Sequence, residues 1–206
     1  VPDIHAAVAA FLAERNHAPL DIATVTSFVG NGVPVLLERV LRAVDEAAEP
    51  AAVQAALPRF NAIYGAAPAA LSTLYPGVPE ALTALRDAGF TLGICTNKPL
   101  VPCKAVMAHL DLTRFFGVIL GGDSLPTHKP DPAPLEAAFT ALGEGPAIYV
   151  GDSEVDAETA RRAMVPFLLY TEGYRKTEVQ ALPHNAAFSH FADLADLVDR
   201  MVAETA

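Results

Sequence analysis

Apolar residues recur at helical spacing along the first third of the chain: Ile4, Val8, Phe11 and Leu12, then Val33, Leu36, Leu37, Val40, Leu41 and Val44, then Val53, Leu57, Phe60 and Tyr64. Pro2 stands near the start of the first stripe, and Asn16-His17-Ala18-Pro19 stops it. Gly30-Asn31-Gly32 precedes the second, and Pro58 falls inside the third, where a proline is predicted to kink or divide a helix. Residues 1–74 therefore read as a small all-helical unit. At roughly 70 residues such a unit is marginal alone, and docking on something larger is expected.

After Tyr75-Pro76-Gly77-Val78, a turn-rich hinge, the pattern changes. Short β-rich runs (Phe90 to Cys95, Gly117 to Leu120, Ala147 to Val150, Val165 to Tyr170) alternate with helical stretches (Pro79 to Ala88, Pro102 to Leu110, Pro132 to Leu142, Glu154 to Met164). Each run is nearly all apolar, the signature of strands buried on both faces, so residues 75–206 are predicted to form an α/β core with a doubly wound parallel sheet. Phe188, Phe191, Leu194, Leu197 and Val198 fit a terminal amphipathic helix or turn packed on that core.

Composition narrows the function classes. Of 206 residues 52% are hydrophobic and 18% charged, enough apolar surface to offset chain entropy. The net charge of −10, from 14 Lys+Arg against 24 Asp+Glu, offers no footprint for a phosphate backbone or an anionic lipid surface, so neither nucleic acid nor membrane is an expected partner. No run reaches ~18 apolar residues, and nothing at the start resembles a signal or transit peptide; a cytoplasmic location is expected. Cys95 and Cys103 stand eight apart without a CxxC, which signals neither a disulfide framework nor a zinc site. The histidines do not cluster, and only His128 adjoins the residues considered next.

In open parallel sheets ligands collect beyond the carboxyl ends of the strands. The first run ends in Cys95-Thr96-Asn97-Lys98, where a hydroxyl and the amides of a strand-to-helix turn can donate to a phosphate or carboxylate, although a plain helix cap uses the same residues. After the second run, Lys129 stands in His128-Lys129-Pro130-Asp131-Pro132, a proline-braced loop that can hold a fixed positive charge. The third run ends in Gly151-Asp152-Ser153-Glu154-Val155-Asp156, with Glu158 one turn on. Gathered carboxylates repel unless a cation sits among them, and hard oxygen ligands suit Mg²⁺; acids at a helix start that merely complement the dipole are the alternative. Asp152 is hardest to assign that way, because it precedes the helix. Together these residues predict an anion site with a divalent cation at one sheet edge.

In this order the motifs resemble those of haloacid dehalogenase-superfamily phosphatases, and most closely the phosphoglycolate phosphatases. Thr96-Asn97 resembles the second motif of that superfamily, Lys129 the third, and Gly151 to Asp156 the fourth; residues 1–74 resemble the helical cap inserted after the first motif. The resemblance implies phosphate binding by Thr96, the Asn97 amide and Lys129, with Thr96 and Lys129 also serving catalysis. It implies Mg²⁺ on Asp152, with Asp156 orienting the metal shell or Lys129, and a cap that selects the leaving group, for which Asn31 and Gly32 are the candidates. A small phosphorylated metabolite is the expected partner, 2-phosphoglycolate first, with the protein a monomer or homodimer.

The first motif of those enzymes, a strand followed by Asp-x-Asp whose first aspartate is the nucleophile, does not occur in this sequence. The expectation is that it lies upstream of Val1, that its strand is the central one of the sheet, and that these 206 residues alone are inactive. A sugar-phosphate mutase or another small-phosphoester phosphatase shares every motif present, and a chain truly without the first motif would be a non-catalytic binder of phosphorylated ligands.

Overall fold

The computed structural model describes residues 1–67 and 69–205. They divide into two compact units, one comprising Val1–Thr73 with Val101–His109, the other Leu74–Leu100 with Leu110–Ala206.

The first unit holds helices α1 (Pro2–Glu14), α2 (Ile22–Phe28), α3 (Val33–Ala43) and α4 (Pro50–Ala66). Each begins where the local chemistry allows. Pro2 needs no N–H partner in the first turn of α1, and the Asp21 carboxylate caps α2 by accepting from the Thr24 N–H at 2.8 Å. Gly32, at φ +86°, supplies the left-handed residue from which α3 starts. The apolar stripes meet in one core: Val8, Phe11, Leu12, Val25, Leu37, Val40, Leu41 and Phe60 are all at most 1% exposed. Phe11 and Phe60 pack edge to face, 5.9 Å between centroids.

Pro58 does not divide α4, which runs unbroken through it. Val53, Ala56, Phe60 and Tyr64 on both sides of the proline are buried in the same core. A proline inside a helix costs about 3 kcal/mol, and burying several large side chains on one face outweighs that.

The second unit carries α5 (Val78–Asp87), β1 (Leu92–Cys95), β2 (Phe116–Leu120), α7 (Ala133–Leu142), β3 (Tyr149–Gly151), α8 (Glu154–Ala163), β4 (Phe167–Tyr170), β5 (Ala186–Phe188) and α9 (Leu194–Thr205); α6 (Leu100–His109) follows β1. All strand pairs are parallel, as the alternation of elements predicts. The sheet is nevertheless in two pieces. β1 pairs β2 with Ile94 opposite Ile119, and separately β3, β4 and β5 pair in that order, with Val150 opposite Leu168 and Leu169 opposite Ala187. β1 and β3 each have one paired edge, and a cavity of about 160 Å³ is lined by Leu92 of β1 and Val150 of β3 together with Leu85, Phe139, Leu142 and Val198.

Burial follows from this split. β4, flanked on both sides, is buried at all four positions, whereas every residue of β1 is only half-buried, short of the two-faced burial its apolar sequence predicts. β5 is absent from the sequence reading, which placed Phe188 in a terminal amphipathic helix or turn. Three residues of Ala-Ala-Phe are too few to show a period, yet β5 gains its place by pairing with β4, and Phe188 packs with Tyr170 and Phe191.

Candidate active site

Three loops at the strand carboxyl ends carry the polar residues singled out in the sequence. Beyond β1, the Thr96 hydroxyl accepts from the Lys98 N–H at 3.1 Å, and the Thr96 N–H donates to the Leu120 carbonyl at the end of β2. The Asn97 side-chain amide donates to the Lys129 carbonyl at 2.9 Å and so ties the first loop to the second. Gly122 donates its N–H to the Lys98 carbonyl at 2.8 Å, and a methyl group there would overlap the Asn97 backbone; a methyl at Gly121 would overlap Leu100. These two glycines are what allows the loops after β1 and β2 to touch.

Lys129 is buried, 8% exposed, although most lysines are solvated. Its ammonium donates to the Asp156 Oδ1 at 2.6 Å and to the Tyr149 hydroxyl at 2.8 Å, and the Tyr149 hydroxyl donates to the same Oδ1 at 2.8 Å. Asp156, on α8, also accepts at Oδ2 from the Ser153 hydroxyl at 2.6 Å and from the Asp152 N–H at 3.2 Å. Burial by itself would raise the Asp156 pKa. The Lys129 charge beside it, with the Lys129, Ser153 and Tyr149 hydrogen bonds, outweighs burial and holds the carboxyl below its ordinary value. Tyr149 moves well upward, first through burial and then through the Asp156 charge. Gly151 is obligatory here, since a methyl group would overlap the Asp156 side chain.

Asp152 directly follows β3, at the start of the acidic run. Its Oδ2 accepts from the Tyr174 N–H at 2.9 Å, and a methyl at Gly173 would overlap the carboxylate, so the loop after β4 lies directly against it. Burial, followed by the Asp156 charge, pushes the Asp152 pKa up despite the Tyr174 bond. A carboxylate in that state gains from a nearby cation.

The four carboxylates do not gather as one cluster. Glu154 turns to the Lys176 and Thr177 N–H groups, Glu158 pairs with Arg161 and Arg162, and Asp156 is committed to Lys129, which leaves Asp152. Among the described residues no three acid, histidine or cysteine side chains converge as a metal site. Asp152 thus fits Mg²⁺ in ligand type, as one carboxylate of the one or two that this ion usually takes from protein.

The structure therefore brings Asn97, Lys129, Asp152 and Asp156 together through direct bonds, with Thr96 at the adjoining strand end. Asn31 and Gly32 lie in the helical unit, where Asn31 accepts from Arg39 at 3.5 Å and Gly32 opens α3. His128, next to Lys129, is exposed. Sequence reasoning gave Tyr149 no role and read Ser153 only as part of the run Gly151 to Asp156. Tyr149 had one readable signal: it is the only side chain with a hydroxyl in the run Ala147 to Val150, and a buried phenol needs a partner.

Comparison with known proteins agrees with this geometry. Residues 1–163 match the family model described as haloacid dehalogenase-like hydrolase. The chain is 51% identical over 203 residues to a phosphoglycolate phosphatase of Cereibacter sphaeroides, covering 98% of this chain and 93% of that protein. It is 43% identical over 204 residues to the phosphoglycolate phosphatase of Rhodobacter capsulatus, with 96% and 90% covered. The crystal structure of a predicted phosphoglycolate phosphatase from Haemophilus somnus superposes with a TM-score of 0.87 at 28% identity, covering 96% of this chain and 91% of that one. Among the described residues no helix is long and apolar enough to cross a membrane. By sequence match, fold and the residues at its strand ends, the chain belongs to the haloacid dehalogenase-like hydrolases, on the phosphatase side of that family.

Proposed function

We propose that the protein is the phosphate-handling body of a Mg²⁺-dependent phosphatase that hydrolyses 2-phosphoglycolate to glycolate and phosphate. The observation that carries this reading is the buried Lys129 ammonium, bonded to Asp156 and Tyr149, in a loop whose carbonyl is tied to Asn97. A fixed positive charge beside strand-end amides is the arrangement that a phosphate dianion needs. The substrate is supported by the identity to phosphoglycolate phosphatases.

In this reading Thr96 and the Asn97 amide hold phosphoryl oxygens, and Lys129 balances charge on phosphate and nucleophile. Asp156 keeps Lys129 charged and in place. Asp152 would be the carboxylate that holds the metal. When bound, Mg²⁺ neutralises charge developing on the transferred phosphoryl group. The nucleophile is an aspartate of an Asp-x-Asp strand end: its carboxylate oxygen bonds to phosphorus as the bond to the glycolate oxygen breaks, the leaving oxygen takes a proton, and water then hydrolyses the aspartyl-phosphate to free phosphate. Within this reading that strand lies between β1 and β3, a place supported by their single paired edges and the cavity they line. Residues 1–74 act as cap and 75–206 as catalytic core.

The test is phosphate release from 2-phosphoglycolate and a panel of small phosphoesters, with Mg²⁺ and with excess chelator. The expected result is turnover by a chain carrying the Asp-x-Asp strand ahead of Val1, dependent on Mg²⁺ and highest on 2-phosphoglycolate, and phosphate binding without turnover by the 206 residues alone. Full activity in chelator overturns the metal on Asp152. Turnover by the 206 residues alone overturns the nucleophile, and an isomerised phosphoester in place of free phosphate overturns the reaction.

A further inference from the structure

We propose that Tyr149 is a positioning residue that fixes the direction of the Lys129 ammonium; this rests on the reading that Lys129 meets the phosphoryl group. An ammonium has three donors on a flexible four-carbon stem. Two are engaged, one on Asp156 Oδ1 at 2.6 Å and one on the Tyr149 hydroxyl at 2.8 Å, and the hydroxyl closes the triangle by donating to Asp156 Oδ1 at 2.8 Å. Among the described residues no acceptor takes the third. Held by Asp156 alone, the ammonium could swing about a single hydrogen bond; the second contact removes that freedom and leaves the third donor with one direction.

Tyr149 is itself held firmly. It lies on β3 opposite Phe167, its ring packs on that phenylalanine at 5.8 Å, and Leu135, Ala157, Ala160 and Leu169 complete a buried cluster around it. The ammonium is 5.5 Å from the ring centroid but 2.8 Å from the hydroxyl oxygen, so the contact runs through the oxygen and not over the ring face. A hydrophobic residue would fill this core as well as tyrosine does. What the hydroxyl adds is orientation of a charge that Asp156 already neutralises.

The experiment is a proton–nitrogen NMR spectrum of lysine ammonium groups in the 206-residue chain and its Tyr149→Phe variant, titrated with inorganic phosphate at neutral pH. In the parent chain the Lys129 signal persists because its protons exchange slowly, and it shifts as phosphate binds. In Tyr149→Phe the backbone spectrum is retained, the Lys129 signal broadens like that of a surface lysine, and the phosphate Kd rises about tenfold, the effect of one hydrogen bond to a charged group. In the active enzyme the same change raises KM in step with the phosphate Kd and lowers kcat/KM at least tenfold, while the melting temperature stays near that of the parent, a combination that a purely structural role would not produce. A Lys129 signal and phosphate Kd unchanged in Tyr149→Phe overturn the assignment. A parent Lys129 signal that ignores phosphate overturns the phosphate reading, and this assignment with it. Should the variant not fold, exchange of the Lys129 protons in the parent chain as fast as that of the other lysines overturns it equally.

Discussion

The helical unit and the α/β unit are built of similarly apolar sequence and reach different states. In the first, side chains from α1, α2, α3 and α4 close around Phe11 and Phe60, and the buried carboxylate of Asp3 is met by the Leu71 N–H and the Ser72 hydroxyl rather than by a cation. In the second, β4 is buried along its whole length while β1, equally apolar, is only half-buried, and an ion pair is buried beyond the strand ends: Lys129 and Asp156 are 8% and 5% exposed. Packing holds one unit; in the other a charged network occupies ground that packing would otherwise take. The difference teaches where each unit is vulnerable, to lost volume in one case and to lost charge balance in the other.

The sharpest break in that contrast is Phe60→Ala. Truncating a fully buried phenylalanine costs about 3–5 kcal/mol, through lost transfer energy and the cavity left behind. The same kind of truncation at half-buried Leu92 on β1 removes less apolar area and is expected to cost under half as much. Urea midpoints of the two variants check this, and equal losses would erase the distinction between a closed core and an open one.

Lys129→Met tests the other side. Removing one partner of a buried ion pair costs about 3–5 kcal/mol because the remaining charge is unbalanced. The loss is expected near 3, since Asp156 retains the Ser153 and Tyr149 hydroxyls as donors. Adding Asp156→Leu to that variant removes the stranded charge and restores most of the melting temperature, while binding of inorganic phosphate stays weakened in both. A single variant as stable as the parent would show that the network is not under electrostatic tension.

The same contrast explains what was legible in the sequence. The helical stripes and the alternation of strands and helices follow from periodicity, which depends on nearest neighbours along the chain. The strand-end positions of Thr96, Lys129 and Asp152 follow from the rule that ligands gather there, and their order is what carries the family resemblance. Three features were hidden because they are set by contacts remote in sequence. Pro58 is tolerated because Phe60 and Tyr64 are anchored elsewhere in the core. The four acids do not form one cluster, because Glu154 finds backbone N–H groups 22 and 23 residues away and Lys129 claims Asp156 from 27 residues away. β5 exists because β4 presents an edge to it. Tyr149 was concealed differently: its neighbours define an apolar strand, and a single hydroxyl does not disturb that pattern.

The smallest expected effect has the opposite sign to the other two. Asp152 has a raised pKa in the folded chain, through burial and then through the nearby Asp156 charge, so the folded state holds its proton more tightly than the unfolded state does. Its stabilising contribution is therefore present below its ordinary value of 3.8 and is lost as pH rises through the raised value. Asp156 behaves inversely: its folded pKa is depressed, so its contribution is complete above 3.8 and is lost as pH falls through the lower value. In Asp152→Asn the amide oxygen can still accept from the Tyr174 N–H while the charge is gone. The variant should thus be more stable than the parent at pH 7, with a rise in Tm of no more than the about 2–4 °C that 1 kcal/mol produces in a chain of 150–250 residues. Its stability profile should lose the decline on the neutral side and keep the decline into acid that belongs to Asp156. Melting curves from pH 3 to pH 8 in metal-free buffer decide the matter, and a Tm at pH 7 below that of the parent would mean that Asp152 holds the loop after β4 more firmly than its own desolvation weakens the fold.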